Sequence, residues 1–262
     1  MSIYEALILG VVQGLTEFLP ISSSGHLELG SFFLNINSSN NLLFAIIVHG
    51  ATALSTIVIF RKDLLELVSE LLKFKLNDGT IYIFKLGLSM LPLGIIGILY
   101  VDKIENFFGG NIVLVASMLL VTGALLLATQ FISVKEGKIT FIKAFMIGIA
   151  QAVAILPGIS RSGATISTAL FLGVKRNNAT RFSFLMVLAP ILGALLLKVK
   201  DLITTPSLGE NIGIMPLFVG FIAAFVSGLV ACRWMLAIVK KGKLSYFAIY
   251  CFIVGIVVLI AF

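Results

Sequence analysis

Long apolar stretches alternate along the chain with short polar connections. A helix that crosses a bilayer needs about 20 mostly apolar residues. Six stretches reach that range without a charge near their middle: residues 44–60, 81–100, 112–132, 182–197, 214–239 and 244–262. Arg233 lies near enough to the end of the fifth for its head group to snorkel to the interface. The fourth is short and carries Pro190, which predicts a kink or a tilt.

Two further regions are hydrophobic but interrupted. Residues 3–19 run into Pro20-Ile21-Ser22-Ser23-Ser24-Gly25-His26, then a short apolar piece to Leu34. Residues 141–156 run into Pro157-Gly158-Ile159-Ser160-Arg161-Ser162-Gly163, then a short apolar piece to Gly173. Proline and glycine stop a helix, and the second arm of each pair is too short to cross alone. Helix, polar turn and half-helix is the pattern of a re-entrant hairpin. Irregular backbone survives at membrane depth where it is buried in protein or lines a wet cavity.

The interruptions repeat. The offset of 138 residues that carries Gly10 onto Gly148 also carries Gln13 onto Gln151, Ser22 onto Ser160, Ser24 onto Ser162 and Gly25 onto Gly163. It continues through Asn40 and Asn178, Phe44 and Phe182, and Lys62-Asp63-Leu64 and Lys200-Asp201-Leu202. Each half therefore reads as one hairpin plus three crossings. Three is odd, so the second half starts on the opposite side and the repeats, about 3–132 and 141–262, are inverted. That arrangement brings two discontinuous helices together near the midplane. The expected fold is a single integral membrane domain over 1–262: all-α, polytopic, with about six transmembrane helices and two re-entrant helix-loop-helix hairpins in an inverted repeat.

Composition agrees with a bilayer. Of 262 residues, 59% are hydrophobic and 12% charged, and the mean hydropathy is +1.13. A soluble domain is roughly a quarter charged, which excludes a soluble enzyme, a disordered chain and a secreted disulfide scaffold. The net charge of +7 reads as lysine-rich cytoplasmic loops, not as a nucleic-acid surface. Arg61, Lys62, Lys73, Lys75, Lys135, Lys138, Lys143, Lys175, Arg176, Arg181, Lys240, Lys241 and Lys243 fall on one side, against Lys103, Lys198 and Lys200 on the other. Both termini and the mouth of the first hairpin then face outward. Cys232 and Cys251 lack metal-ligand spacing and read as small core residues. Residues 1–20 carry Glu5 and no basic start, so no cleavable leader is expected.

The hairpins hold the chemistry. Glu17, His26 and Arg161 each cost about 2.5–3.5 kcal/mol in a membrane segment, so they are expected to work together. Arg161, amid hydroxyls and glycines just before a helical start, suits an oxyanion: its guanidinium can fork onto phosphate oxygens, and the helix N-terminus offers free N–H groups. Ser160, Ser162, Gly163 and Thr165 would join it. Glu17 follows Gln13 by four residues on one helical face and could hold a divalent ion, accept a proton or orient a hydroxyl. Ser23, between Ser22 and Ser24, is a candidate nucleophile if Glu17 or His26 activates it. His26 could shuttle a proton near neutral pH. Together these groups point to phosphoryl hydrolysis, although three serines after a proline are more often a plain turn or cap. His49, mid-span beside Gly50, reads as structural or gating, and Asp63 and Glu66 as a solvated interfacial face.

The runs Gln13-Gly14-Leu15-Thr16-Glu17-Phe18-Leu19-Pro20-Ile21-Ser22-Ser23-Ser24-Gly25-His26-Leu27 and Leu156-Pro157-Gly158-Ile159-Ser160-Arg161-Ser162-Gly163-Ala164-Thr165 closely resemble the two signatures of the bacterial undecaprenyl-diphosphatases, the bacitracin-resistance protein family. The resemblance covers essentially the whole chain. It implies hydrolysis of undecaprenyl diphosphate to the monophosphate and inorganic phosphate, in the bacterial cytoplasmic membrane with the site open to the outside. That reaction recycles the lipid carrier of peptidoglycan synthesis. It also implies help from a divalent cation, Mg or Ca, at Glu17; the first signature begins with Glu or Gln, and this chain has the Gln form at Gln13. The implied partners are a polyprenyl diphosphate, membrane lipids and a second copy of the chain in a homodimer, with no nucleic acid.

Two other classes compete. Inverted repeats with broken helices also build secondary transporters, which release no phosphate. The type 2 phosphatidic-acid phosphatases use Ser-Gly-His and Ser-Arg elements but need a histidine after their arginine, and none follows Arg161.

Overall fold

The computed structural model describes residues 1–34, 36, 38–99, 111–132, 136–204 and 213–262. Lys103, Lys135 and Tyr100 lie outside them. The described residues form eleven α-helices: α1 (Ile3–Phe18), α2 (Ser23–Phe33), α3 (Ser38–Ile59), α4 (Arg61–Leu72), α5 (Asp78–Leu99), α6 (Ile112–Ala128), α7 (Phe141–Val153), α8 (Arg161–Phe171), α9 (Arg176–Thr204), α10 (Ile214–Lys240) and α11 (Ser245–Ala261). A short 3-10 turn, Thr129–Phe131, closes α6. The protein is an all-helical polytopic membrane protein.

Among the described residues, each of the six expected apolar stretches falls largely on a helix. Four are long and apolar enough by themselves: Asp78–Gly97, Ile112–Phe131, Arg176–Leu197 and Ile214–Val239. The stretch in α3 passes together with α4, across a bend of 74°. The sixth, α11, is an apolar helix of 17 residues. Helix α9 runs for 29 residues with Pro190 inside it, well beyond the apolar 182–197. Backbone i→i−4 bonding continues through polar flanks, so hydropathy marks the lipid-compatible part of a helix and not its ends.

The interrupted regions become two helix pairs. In the first, α1 has 16 residues and α2 has 11; in the second, α7 has 13 and α8 has 11. None reaches a crossing length. Within each pair the helices pack on one another. Helix α1 starts with a capping box: Ser2 Oγ accepts from the Glu5 N–H at 3.2 Å, and Glu5 Oε2 accepts from the Ser2 N–H at 2.8 Å. It lies along α10 through small residues. A Cβ on Gly14 would come within 2.5 Å of the Ala224 carbonyl oxygen, and one on Gly10 within 2.6 Å of the Gly220 carbonyl oxygen. Close backbone approach through small residues is how membrane helices associate without a hydrophobic driving force. The other main packings are α3 on α10, α5 on α7, and α6 on α11, with α9 against α3, α5 and α8.

The two turns meet. A Cβ on Gly25 would sit 3.2 Å from Gly158 Cα, and the Ser162 hydroxyl donates to the Leu19 carbonyl at 3.3 Å. Thr122 of α6 braces the second turn, donating to the Gly158 carbonyl at 2.9 Å and accepting from the Ser160 N–H at 3.0 Å. Gly158 has φ +96°, a left-handed conformation that glycine adopts without strain. Cys232 and Cys251 are free and buried.

Charged contacts join parts of several basic loops. Arg181 pairs with Asp63 at 2.6 Å and Glu66 at 3.5 Å, and Lys175 pairs with Glu136 at 2.5 Å. A Cβ on Gly242 would abut the Arg176 guanidinium at 2.6 Å. Asp63 and Glu66 are thus held by a cation from α9 at the α3–α4 bend.

Candidate active site

Glu17 lies in the last turn of α1, and its side chain is 8% exposed. A buried carboxylate persists where polar partners satisfy it, and Glu17 has four. Its Oε2 accepts from Ser23 Oγ at 2.6 Å and from Gln13 Nε2 at 2.9 Å. An Arg161 Nη lies 3.5 Å from Oε1, and His49 Nε2 lies 3.8 Å from Oε2. One carboxylate thereby ties together α1, α2, α3 and α8. The i, i+4 spacing of Gln13 and Glu17 puts both on one face, and the turn after Phe18 folds Ser23 back onto that face.

Both second arms begin on a serine cap. Ser22 caps α2, its hydroxyl accepting from the Gly25 N–H at 3.3 Å; Ser160 caps α8, accepting from the Gly163 N–H at 3.1 Å. Ser22 Oγ lies 3.3 Å from Ser24 Oγ, and Ser160 Oγ lies 3.3 Å from Ser162 Oγ. The caps differ in backbone. Ser22 has φ 69° and ψ 95°, whereas Ser160 is extended at φ −73°. A serine at positive φ is uncommon and persists where its surroundings over-determine it. At Ser22 the carbonyl accepts from His26 Nδ1 at 2.8 Å and from the His26 N–H at 3.1 Å.

A cleft opens beside Glu17. Its lining is Glu17, Phe18, Thr56, Arg161, Ser162, Ser183, Phe184, Val187 and Ile191. Carboxylate, guanidinium and hydroxyls thus face an apolar wall. Thr165 is buried behind it, donating to the Arg161 carbonyl at 2.8 Å and lying 2.5 Å from Ser183 Oγ. Of the residues singled out in the sequence, Gln13, Glu17, Ser23 and Arg161 meet directly, with Ser162 in the cleft wall. Ser22, Ser24, Ser160, Gly163 and Thr165 hold the turns that present them. His26 is not part of the cleft lining: its Nε2 lies 2.8 Å from the Tyr250 hydroxyl, and the two rings stack at 5.6 Å.

Four polar groups near the site were not assigned to it from sequence. Thr56 and Ser183 carry no signal beyond a hydroxyl in a span. Tyr250 is one aromatic among many. His49 was legible as an ionisable group mid-span, but its direction toward Glu17 was not.

A divalent ion needs oxygen donors here. Among the described residues no group of three His, Cys, Asp or Glu could cage a metal. One carboxylate completed by substrate oxygens is nonetheless a common magnesium arrangement. Gln13 Oε1 is buried without a hydrogen-bond partner, while Nε2 of the same amide donates to Glu17, so an ion shared with Glu17 would need the amide turned over.

A sequence model described as bacitracin resistance protein BacA matches residues 6–257. The chain belongs to that family. Similar proteins include the undecaprenyl-diphosphatase of Christiangramia forsetii, 51% identical over 99% of this chain and 98% of the relative. The undecaprenyl-diphosphatase of Bacteroides fragilis is 49% identical over 99% of this chain and 98% of its own length. That of Methanobrevibacter smithii is 34% identical over 98% of this chain and 97% of its own length. This BacA-family chain is an enzyme, a membrane phosphatase.

Proposed function

We propose that the protein hydrolyses undecaprenyl diphosphate to undecaprenyl phosphate and inorganic phosphate, on the outer face of the bacterial cytoplasmic membrane. The observation that carries this reading is the Glu17 carboxylate, which bonds the Ser23 hydroxyl on one oxygen and faces the Arg161 guanidinium on the other. The names of the relatives agree with it. The positive-inside rule favours the side of the basic loops as cytoplasmic. We read the two helix pairs as inverted copies whose turns face one another.

Arg161 and the amides of α8 ahead of the capped Gly163 bind the diphosphate oxygens, with the Ser162 hydroxyl turning to them from the Leu19 carbonyl. Charge on those oxygens is the main thing such a site must stabilise. Ser23 Oγ attacks the terminal phosphorus and gives its proton to Glu17 Oε2. The Oγ–P bond forms as the bridging P–O bond breaks, and undecaprenyl phosphate leaves. Water then cleaves the phosphoserine: once the Tyr250 hydroxyl leaves His26 Nε2 that nitrogen takes a proton from the water, the water oxygen bonds phosphorus as the Oγ–P bond breaks, Glu17 returns its proton to Ser23 Oγ, and phosphate leaves. Gln13 and Glu17 would hold a magnesium or calcium ion, which would offset part of the diphosphate charge. Phe18, Phe184, Val187 and Ile191 take the first prenyl units. In the cell this reaction would return the lipid carrier to peptidoglycan synthesis and confer bacitracin resistance.

The test is phosphate release by the purified protein from C55 and shorter prenyl diphosphates, with Arg161→Ala alongside. The expected result is turnover by the wild type and a loss of about 10²- to 10³-fold in the variant. A wild type that moves lipid phosphate across vesicles without releasing phosphate would make it a carrier.

A further inference from the structure

His26 is held from both sides. Its Nδ1 lies 2.8 Å from the Ser22 carbonyl, which can only accept, so Nδ1 carries the proton. The lone pair is then on Nε2, which lies 2.8 Å from the Tyr250 hydroxyl, 224 residues away in the chain. The phenol therefore donates to Nε2. The rings stack with centroids 5.6 Å apart and 15° between planes, so contact and hydrogen bond restrain the same imidazole. Tyr250 belongs to α11, which packs on α6, the helix whose Thr122 braces the Arg161 turn. The tyrosine thus links His26 to the scaffold of the opposite hairpin.

We propose that Tyr250 is a positioning residue for His26. It fixes the ring plane and the neutral Nδ1–H tautomer, and holds the Nε2 lone pair in one direction, on the Tyr250 hydroxyl. A histidine acting as base needs one nitrogen free of its proton, and the group on the other nitrogen decides which one. Ser22 sets the proton on Nδ1, while its own strained backbone holds the carbonyl toward the ring. Tyr250 restrains the remaining freedom, rotation of the ring. A water reaching Nε2 replaces the phenol as the donor there, so the contact prepares the nitrogen without entering the chemistry. This inference rests on the phosphatase reading of the site.

The test uses the full-length protein in detergent. Tyr250→Phe keeps the ring and removes the hydroxyl. It is expected to lower kcat about five- to tenfold, the worth of one hydrogen bond, with KM unchanged. His26→Gln should lower kcat further, and adding Tyr250→Phe to it should cost nothing more, since the tyrosine acts through the histidine. The chain has two histidines, so 15N-histidine NMR, assigned with His49→Gln, resolves His26 directly. Tyr250→Phe should shift the His26 Nε2 resonance and leave His49 in place. Losses that add in the double variant, or an unmoved His26 resonance in Tyr250→Phe, overturn the proposal. So does full activity in Tyr250→Phe. A wild type that releases no phosphate instead sinks the phosphatase reading, and Tyr250 falls with it to a packing contact.

Discussion

Glu17 and Arg161 lie 3.5 Å apart, although they belong to different halves of the chain and to different broken helices. Neither charge is easily kept in a membrane alone. Together with the Ser23 hydroxyl they form a compact unit of base, nucleophile and cation, closed behind by Gln13 and open in front to the cleft.

Glu17→Gln is expected to remove about 10²- to 10⁴-fold from kcat, because the Ser23 proton loses its acceptor. It also leaves Arg161 without its carboxylate partner, so thermal unfolding in detergent should fall. Phosphate release and the unfolding midpoint are both read. Wild-type turnover in this variant would remove Glu17 from the chemistry.

The neighbouring serines should separate sharply. Ser23 bonds Glu17, whereas Ser24 bonds Ser22 within the turn. Ser23→Ala is expected to abolish turnover and any phosphoserine seen by mass spectrometry after rapid quenching. Ser24→Ala should cost less than about tenfold, the range of one neutral hydrogen bond. Equal losses in the two would shift the nucleophile away from Ser23.

Chelation of divalent ions is expected to lower activity, and added magnesium or calcium to restore it. Gln13→Glu places a second carboxylate beside Glu17, and cation affinity rises with the number of charged ligands. The half-activating ion concentration should fall roughly tenfold. An unchanged ion requirement in Gln13→Glu would show that no ion sits between residues 13 and 17.

Gly14→Leu forces α1 away from α10, since even a Cβ there would meet the Ala224 carbonyl oxygen at 2.5 Å. Overpacking of this kind costs about 1–3 kcal/mol. The unfolding midpoint should drop. Activity should drop with it, because Gln13 and Glu17 ride on the same helix. A variant with wild-type stability would show that the α1–α10 contact tolerates separation.

Much of this could be read along the chain. The apolar stretches on α5, α6, α9 and α10, and the breaks at Pro20 and Pro157, follow from local rules of hydropathy and helix termination, although α7 stops three residues earlier than its apolar run, at Val153. So did the grouping of Glu17, Ser23 and Arg161, because three costly or reactive groups confined to two breaks have few other uses. The α4 helix was not foreseen, since its charged residues disqualify it as a span and its apolar face is visible only with the bend at Phe60. The direction of His26 was not legible either. Nothing about position 250 distinguishes its tyrosine from Tyr246, four residues away.

Residue order alone committed this chain to the bilayer, to helices, and to two interruptions carrying a carboxylate, hydroxyls and a guanidinium, because burial cost and helix termination act over a few neighbouring residues. Packing decided which of those groups touch: that Glu17 takes Ser23 and Arg161, that His49 approaches it, and that His26 faces Tyr250. Such contacts depend on how whole helices cross and rotate against one another, and those angles are set by small-residue interfaces such as Gly14 on Ala224 rather than by any local pattern.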